Sequence, residues 1–305
     1  VADTSNGAAG GSGTGSDGIT SNGQISLGGL EANASWQYSV DGGVNWTSGS
    51  GASFTVPQGS YAANTIWARQ VDLAGNVGTS VAKIAQALTV DTAAPAPLLA
   101  IATGQDNLIN ATETGIDLEV RYTGLAAGDV VQLKNNGVNV GSAHLVTSAE
   151  ATAGVVSLNV SKAQLGGDGS KSVSASVSDL AGNTGASQAL SITVGTSMPA
   201  APTLALASDT GTSNSDAITN NGAVLVSGLV AGGTWEYSTN AGVSWSAGSD
   251  ARFTLGAGTY AANALQVRQT NSSGNSSGTT VWAQAITVDQ TLPGAPSLAL
   301  VADTS

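Results

Sequence analysis

The chain has 305 residues, with 8 Lys or Arg against 20 Asp or Glu, so its formal net charge is −12. An acidic surface of this kind argues against nucleic acid and anionic lipid as partners. The chain has no cysteine, which excludes disulfides and thiolate metal sites. Charged residues make up only 9% and glycine contributes 41 residues, a composition that favours turn-rich β structure.

An internal repeat organises the sequence. Two tryptophans, a tyrosine and an arginine each recur 199 positions later (235 − 36 = 199): Trp36/Trp235, Trp46/Trp245, Tyr61/Tyr260 and Arg69/Arg268. One further module fits between the two copies, so we expect three modules of roughly 100 residues. The predicted boundaries are 1–94, 95–198 and 199–294, with 295–305 as the first strand of a further repeat.

The elements of the first module follow from alternating apolar and polar residues. This alternation predicts strands at 24–27, 36–40, 54–56, 65–72 and 81–90. About seven strands fit an all-β immunoglobulin-like sandwich, in which Trp36 fills the core and Tyr61 makes a tyrosine-corner hydrogen bond. Trp46 and Trp245 have two interpretations: core packing, or an exposed platform that stacks on sugar.

The later modules begin after proline-containing linkers. Strands are predicted at 98–101, 116–122, 130–133, 155–160, 172–179 and 203–206. Prolines 95 and 97 hold the first linker extended. We therefore expect the three sandwiches to be arranged end to end as a rod on the order of 100 Å long.

The first module has no counterpart of the first strands at 98–101 and 203–206. A matching stretch, Ser297–Leu300, lies at the other end of the chain, and Val1–Ser5 reappears as Val301–Ser305. We therefore expect a longer parent with more repeats, and possible head-to-tail self-association of this chain by strand addition.

The scarce acidic residues predict calcium between modules. In an immunoglobulin-like topology Asp3, Asp17 and Asp91 are expected at the bottom of module one, facing Asp179 of module two. Carboxylates that converge in this way repel one another without a counter-ion, and hard oxygen ligands select Ca²⁺. The alternative is that these acids only cap turns.

The other two ends of the modules are predicted to differ. At the second junction Gly195 and Asn271 replace acids, although Asp106 and Glu113 allow a weaker site. The third set comprises Asp209, Asp216 and Asp289, which would meet the equivalent of Asp72 from a following repeat.

Catalysis finds little support in the sequence. His144 is the only histidine and has no nucleophile motif around it, so we expect a plain surface residue and no catalytic residues. No phosphate-binding loop or zinc-protease motif is present.

Four motifs together carry a family resemblance: Val90–Thr92, Asp17–Thr20, Trp36–Trp46 and Val71–Asn76. They resemble the immunoglobulin-like tandem repeats of giant RTX-type adhesins and biofilm-associated bacterial surface proteins. The resemblance implies a secreted cell-surface protein whose repeats, stiffened by interdomain Ca²⁺, hold a distal binding domain away from the cell. It implies an extender function with neighbouring repeats as partners. No membrane insertion of this segment is expected, because no apolar run approaches the roughly 18 residues needed to span a bilayer. A carbohydrate-binding module is the alternative.

Overall fold

The computed structural model describes residues 17–301. Within them lie three separate hydrophobic cores, over 25–90, 109–194 and 217–288. Each core falls inside one of the three predicted modules, whose exact boundaries stay predictions. The chain divides into two compact units, one holding residues up to Ile109 with Thr114–Val194, the other holding Asn110–Glu113 with the chain from Gly195 onward. No helix in the described part is long and apolar enough to cross a membrane.

Module one consists of short strands around one core. Its strands are β1 (Ile19–Thr20), β2 (Gln24–Ser26), β3 (Ser35–Ser39), β4 (Thr47–Ser48), β5 (Ser53–Thr55), β6 (Gly59–Tyr61), β7 (Trp67–Val71), β8 (Ala82–Lys83) and β9 (Leu88–Val90). They form the sheets β1-β9-β6, β2-β5 and β4-β3-β7-β8. The β1/β9 pair is parallel, whereas the other pairings are antiparallel.

The core of module one is aromatic. Trp36 is 3% exposed, and its ring centroid lies 5.7 Å from that of Phe54, which in turn stacks on Tyr38 at 4.3 Å. These rings come from β3 and β5, which belong to different sheets, so the sheets face each other across them. The topology and this shared core define an immunoglobulin-like β-sandwich, as predicted.

A tyrosine hydroxyl ties the chain at the β6 corner. Tyr61 Oη donates to the carbonyl of Pro57 at 2.9 Å, and in module three Tyr260 Oη donates to the carbonyl of Gly256 at 3.1 Å. The predicted hydrogen bond is present in both copies. Tyr61 is the last residue of β6.

Module two has longer strands and two short helices. Its elements are β10 (Leu98–Ile101), β11 (Leu108–Ile109), β12 (Gly115–Arg121), β13 (Val130–Asn135), β14 (Val138–Leu145), α1 (Ser148–Ala153), β15 (Val156–Ser161), α2 (Lys162–Leu165), β16 (Gly169–Ser178), β17 (Thr184–Ala186) and β18 (Leu190–Val194). One sheet is β10-β12-β15; the other is β11-β18-β16-β13-β14, with β17 added to β16. The strands predicted in this module are confirmed.

The two helices of module two were not predicted, although both carry a recognisable start signal. Thr147 accepts a hydrogen bond from the backbone of Glu150, whose carboxylate bonds back to Thr147. Ser161 and Gln164 form the same reciprocal pair at α2. These are capping boxes, but each helix is too short for apolar periodicity to show.

Module three repeats module one with an added first strand. Its strands are β19 (Thr203–Leu206), β20 (Ile218–Thr219), β21 (Ala223–Ser227), β22 (Thr234–Ser238), β23 (Ser246–Ala247), β24 (Arg252–Thr254), β25 (Gly258–Tyr260), β26 (Gln266–Thr270), β27 (Thr280–Val281) and β28 (Ile286–Val288). The sheets are β19-β21-β24, β20-β28-β25 and β23-β22-β26-β27. Ser297–Leu300 forms no strand in the described chain.

The stretch predicted as one strand over 81–90 is two strands. β8 pairs with β7 in one sheet, while β9 pairs with β1 and β6 in another. The chain therefore crosses between sheets after Lys83. Continuous alternation cannot reveal such a crossing, because the apolar face stays directed at the same core.

Gly49 gives a test of the aromatic core. A Cβ at this position would lie 2.1 Å from the Trp36 ring, whereas a Cβ at Gly28 would meet nothing within 4 Å. We expect Gly49→Ala to destabilise module one by about 1–3 kcal/mol through overpacking, and Gly28→Ala to stay within about 0.5 kcal/mol of wild type. Urea denaturation followed by hydrogen-exchange mass spectrometry measures this, with peptides of module three as the internal reference. Equal effects of the two substitutions would contradict the packing described.

Candidate functional site

The junction of modules one and two is built on the turn Asp179–Asn183. Asp179 Oδ1 accepts from the backbone N–H of Asn183 at 2.9 Å, and the Asp179 N–H donates to the Asn183 carbonyl at 3.0 Å. Gly182 occupies a positive φ of 84°, which glycine adopts without steric cost. The turn is therefore closed by its own first and last residues.

The Asn183 carboxamide reaches from this turn to module one. Its Nδ2 donates to the carbonyl of Asp91 at 2.8 Å and to Asp179 Oδ2 at 3.0 Å. Asp91 follows β9, so the last strand of module one is joined to the turn of module two. We call this pair of bonds the Asn183 bridge. It lies between Asp91 and Asp179, the two acids that the sequence placed at this junction.

The linker also touches module two at Gly185. A Cβ at this position would lie 1.7 Å from the carbonyl oxygen of Pro95, so only glycine allows the strand β17 to approach the linker so closely. The contact holds the linker against module two immediately after the Asn183 bridge.

The second unit contains the same bridge made by Asn275. Its Nδ2 donates to the Gly195 carbonyl at 2.6 Å, and its Oδ1 accepts from the Ala111 N–H at 2.7 Å. Asn271 Nδ2 donates to the Ser197 carbonyl at 2.8 Å. Asn275 is 3% exposed. The bridge is thus present where Gly195 and Asn271 replace the acids of the first junction.

The parallel strands separate two acids that the sequence placed together. Ile19 pairs with Thr89 and Thr20 with Val90, so Asp17 precedes this pair and Asp91 follows it. The offset of four residues corresponds to about 13 Å of extended backbone. Asp17 precedes the short strand β1 instead of lying in the loop beside Asp91. Asp216 and Asp289 flank the β20/β28 pair in the same way.

The remaining acids mainly cap turns. Each bond joins a carboxylate oxygen to a nearby backbone N–H: Asp17 Oδ1 to Ile19 (2.9 Å), Asp91 Oδ1 to Ala93 (3.0 Å), Asp106 Oδ1 to Leu108 (2.9 Å), Glu113 Oε2 to Asn110 (2.8 Å), Asp209 Oδ2 to Ala217 (2.9 Å), Asp216 Oδ1 to Ile218 (3.1 Å), Asp289 Oδ1 to Thr291 (2.9 Å) and Asp72 Oδ1 to Asn76 (2.8 Å). Residues 17–301 contain no group of three or more His, Cys, Asp or Glu side chains that could hold a metal ion. Asp3 lies outside the described residues.

Asp129 is a buried acid near the first junction that the sequence analysis missed. It is 1% exposed, and its Oδ2 accepts from Tyr122 Oη at 2.6 Å and from the Ala126 N–H at 2.9 Å. Burial raises the pKa of Asp129, and the charge of Asp179 raises it further. Burial likewise raises the pKa of Tyr122. The pair closes a turn beside the Asn183 bridge.

Trp46 and Trp245 each carry an arginine on one ring face. The guanidinium carbon of Arg69 lies 3.8 Å from the centroid of Trp46, and that of Arg268 lies 4.1 Å from the centroid of Trp245. Trp46 Nε1 also donates to the Gly43 carbonyl at 2.9 Å. Both rings are half-buried. A cation therefore occupies one of the two faces of each ring on which a sugar could stack.

A cavity of about 290 Å³ in module three is lined by two residues that each have a buried polar atom without a hydrogen-bond partner. It is lined by Leu206, Asp209, Asn214, Ser215, Ala217, Trp282 and Gln284. The two atoms are Asp209 Oδ1 and Trp282 Nε1. An unpartnered acceptor and an unpartnered donor on residues that line one cavity are together complementary to a hydroxyl group, which both donates and accepts.

His144 is bound to a helix cap. Its Nε2 lies 2.9 Å from Glu150 Oε1, and Glu150 belongs to the capping box of α1. The side chain of His144 is 30% exposed. The residue thus serves local structure, in addition to lying at the surface as predicted.

Comparison with solved structures finds similar β-sandwich modules at low identity. Fibronectin(III)-like modules of Clostridium thermocellum CbhA share 13% identity over 66% of this chain and 100% of theirs, with a TM-score of 0.36. A Ca²⁺-stabilised adhesin with which an Antarctic bacterium binds ice shares 19% over 89% of this chain and 71% of its own, at 0.39. A structure from a 1.5-MDa bacterial ice-binding adhesin shares 17% over 89% and 93%, at 0.34. No family model and no curated protein matches the chain. At these values no function transfers from these proteins.

The opposite pKa shifts of two acids predict opposite pH dependences. Burial raises the pKa of Asp129 above 3.8, so the stability linked to it is fully present below pH 3.8 and is lost as pH rises through the raised value. The backbone N–H of Asn45 and the Ser39 hydroxyl lower the pKa of Asp41 to about 2. The stability linked to Asp41 is present above pH 3.8 and is lost as pH falls through about 2.

We therefore expect Asp129→Asn to gain stability relative to wild type as pH rises above 4. Asp41→Asn should gain relative to wild type only as pH falls below 4. Chemical denaturation of both variants across this range measures the two slopes. Slopes of the same sign would contradict the assignment.

Proposed function

We propose that the chain is a non-catalytic spacer segment of a secreted bacterial surface adhesin, in which tandem sandwiches position a distal binding domain. The observation that carries this proposal is the Asn183 bridge, which fixes the end of one module to the turn of the next. A spacer transmits position only if its junctions resist bending, and the half-buried hydrogen bond from Asn183 supplies that resistance at the first junction. The motif resemblance to adhesin repeats supports the extracellular location.

We further propose that Ca²⁺ reinforces the first junction. Asp91 and Asp179 flank the Asn183 bridge and supply carboxylate oxygens of the kind that Ca²⁺ prefers. In the structure an amide donor joins them, and Ca²⁺ needs more oxygen ligands than these two side chains provide. Asp3 and carbonyl groups of the junction are the proposed additional ligands.

Removal of the Asn183 carboxamide should loosen the first junction. The chain has no native cysteine, so spin labels on Ser48→Cys and Ser157→Cys, both exposed positions, report the distance between modules one and two. We expect Asn183→Ala to broaden the distance distribution measured by pulsed electron paramagnetic resonance, because it removes a hydrogen bond contributing about 1 kcal/mol. The matched control is Asn76→Ala, since Asn76 makes the same bonds to Asp72 within its own turn.

Calcium forms the second arm of the same experiment. Addition of Ca²⁺ should narrow the distribution in wild type and raise the thermal stability, because bound ligand favours the state that binds it. Asp179→Asn should abolish the response to Ca²⁺ while it leaves the bond from Asn183 Nδ2 to the Asp91 carbonyl in place. A wild-type chain that is unaffected by Ca²⁺ or EGTA would remove the calcium proposal. A distribution unchanged by Asn183→Ala would remove the bridge as the stiffening element.

A second candidate function is recognition of a hydroxyl-rich ligand such as a carbohydrate. The observation that favours it is the module-three cavity, where Trp282 Nε1 and Asp209 Oδ1 lack partners although both atoms are buried. A buried donor and acceptor cost free energy unless a ligand or water satisfies them. We propose this cavity, instead of Trp46 and Trp245, as the carbohydrate-binding site, because arginine covers one face of each of those rings.

Substitution of Trp282 separates ligand binding from mere hydration. We expect Trp282→Phe, which keeps an aromatic ring and removes the donor, to weaken carbohydrate binding at least about tenfold on a glycan array and in calorimetry. Trp245→Phe is the matched control and should leave binding unchanged. Loss of binding in Trp245→Phe but not in Trp282→Phe would favour stacking on Trp245. If wild type binds no carbohydrate, ordered water fills the cavity and this candidate function is ruled out.

A further inference from the structure

Strand β2 of module one has one open edge among the described residues. The Leu27 N–H donates to Ala52 and the Gly23 carbonyl accepts from Val56, so the odd-numbered residues of β2 face β5. In an antiparallel ladder the intervening residues point their backbone groups the other way. The Ser26 N–H and the carbonyls of Gln24 and Ser26 therefore face away from β5, where the described chain supplies no strand.

The corresponding edge is covered in modules two and three. β10 pairs with β12, and β19 pairs with β21, each antiparallel and each as the outer strand of a three-stranded sheet. Module one has only the pair β2-β5 in that place. Module three shows what the open groups bind, because the Ala207 N–H donates to the carbonyl of Ala223 at 2.8 Å, and Ala223 is the repeat partner of Gln24 (223 − 24 = 199).

An apolar groove accompanies the open edge. A cavity of about 150 Å³ lies beside β2 and is lined by Ile25, Ser26, Leu27, Gly28, Phe54, Ile66, Trp67, Ala68, Ala82, Lys83 and Ile84. In module three the leucines Leu204 and Leu206 of β19 pack against the core in this region. In module two Leu99 and Ile101 of β10 do the same. The groove of module one thus has the shape left by a missing pair of apolar side chains.

The chain carries a segment that matches these strands. Ser297–Leu300 reads S-L-A-L after Pro296, as Thr203–Leu206 reads T-L-A-L after Pro202. Leu298 and Leu300 are 97% and 87% exposed, so their side chains are available. Two leucines at alternate positions on one face are the pattern that strand addition needs, since backbone bonds give affinity and alternate side chains fill pockets.

The register follows from module three. Ala205 pairs with Leu225 there, which places Ala299 opposite Ser26 and directs Leu298 and Leu300 into the groove. A side-chain donor also fits this register. Gln269 Nε2 donates to the carbonyls of Gly228 and Ala200, whereas its repeat partner Gln70 donates to the Gly29 carbonyl at 3.1 Å. The counterpart of Ala200 in the added segment is Gly294 (294 − 200 = 94, as for 297 − 203).

We propose that the β2 edge of module one binds Ser297–Leu300 of a second copy of this chain as an added antiparallel strand. The contact is heterologous, since one copy contributes the segment and the other the edge. Each copy keeps a free segment and a free edge, so the association grows head to tail into linear chains. The proposal does not depend on the spacer function, on calcium or on carbohydrate binding.

Sedimentation of the 305-residue protein over a concentration series tests the proposal. Wild type should show a mass that rises with concentration. Leu298→Asp combined with Leu300→Asp should weaken association by more than about tenfold, because carboxylates are costly to bury in the groove, and its fold should be unaffected since both leucines are exposed. The matched control is Leu292→Asp, which changes a residue that is 88% exposed and lies outside the segment.

A mixing experiment identifies the two partners. Ser26→Pro removes the edge N–H and blocks pairing from that side, at a position where an edge strand tolerates proline. Each variant alone should remain monomeric, but Ser26→Pro has an intact segment and Leu298→Asp/Leu300→Asp has an intact edge, so an equimolar mixture should stop at a 1:1 dimer. A wild-type chain that stays monomeric at about 1 mM, an aspartate variant that associates like wild type, or a mixture without dimers would each overturn the proposal.

Discussion

The structure depends on side-chain amides and carboxylates that satisfy backbone groups in turns. Strands of two to five residues dominate modules one and three, so a large share of the backbone lies outside ladders and needs other partners. Asp and Asn side chains supply them, as Asp17 does for Ile19 and Asn22 does for Gln24. Short strands therefore require many Asp and Asn residues at turns. This requirement explains their abundance without any role in binding metal.

The same constraint explains which sequence predictions were confirmed. Alternation found β3 and β12, because in these strands a buried residue follows an exposed or half-exposed one. It could not find β1, which has two residues and is defined by its parallel partner β9. That omission mattered for the site, since β1 places Asp17 before the paired residues and Asp91 after them. Sequence spacing could not supply this placement, because parallel pairing joins residues about 70 positions apart (89 − 19 = 70).

Other parts of the site were missed because they depend on burial and on side-chain direction. Nothing in the sequence separates Asp129 from the turn-capping acids, yet its burial beside Tyr122 raises its pKa. The repeat of Trp46 with Arg69 is visible in the sequence, but the stacking follows from the sheet β4-β3-β7-β8, in which Trp46 directly precedes β4 and Arg69 lies on β7. The Asn183 bridge has a visible signal in the turn sequence D-L-A-G-N. Only the aspartate of this turn was given a role in the prediction, and the final asparagine was not.

Each linker between modules is held by two contacts, one near its start and one near its end. In the first unit Asn183 binds the carbonyl of Asp91, and four residues later the Pro95 carbonyl lies against Gly185. In the second unit Asn275 binds the carbonyl of Gly195, and Gln269 binds that of Ala200. Each linker is thus held by a carboxamide where it leaves one strand and by a close contact shortly before the next strand begins. Carboxamides donate to backbone carbonyls at both linkers, whereas Asp91 and Asp179 have no acidic counterparts at the second linker. The hydrogen bonds are therefore the shared feature, and the carboxylates are specific to the first junction. A cation at that junction would therefore reinforce an arrangement that the amides already define.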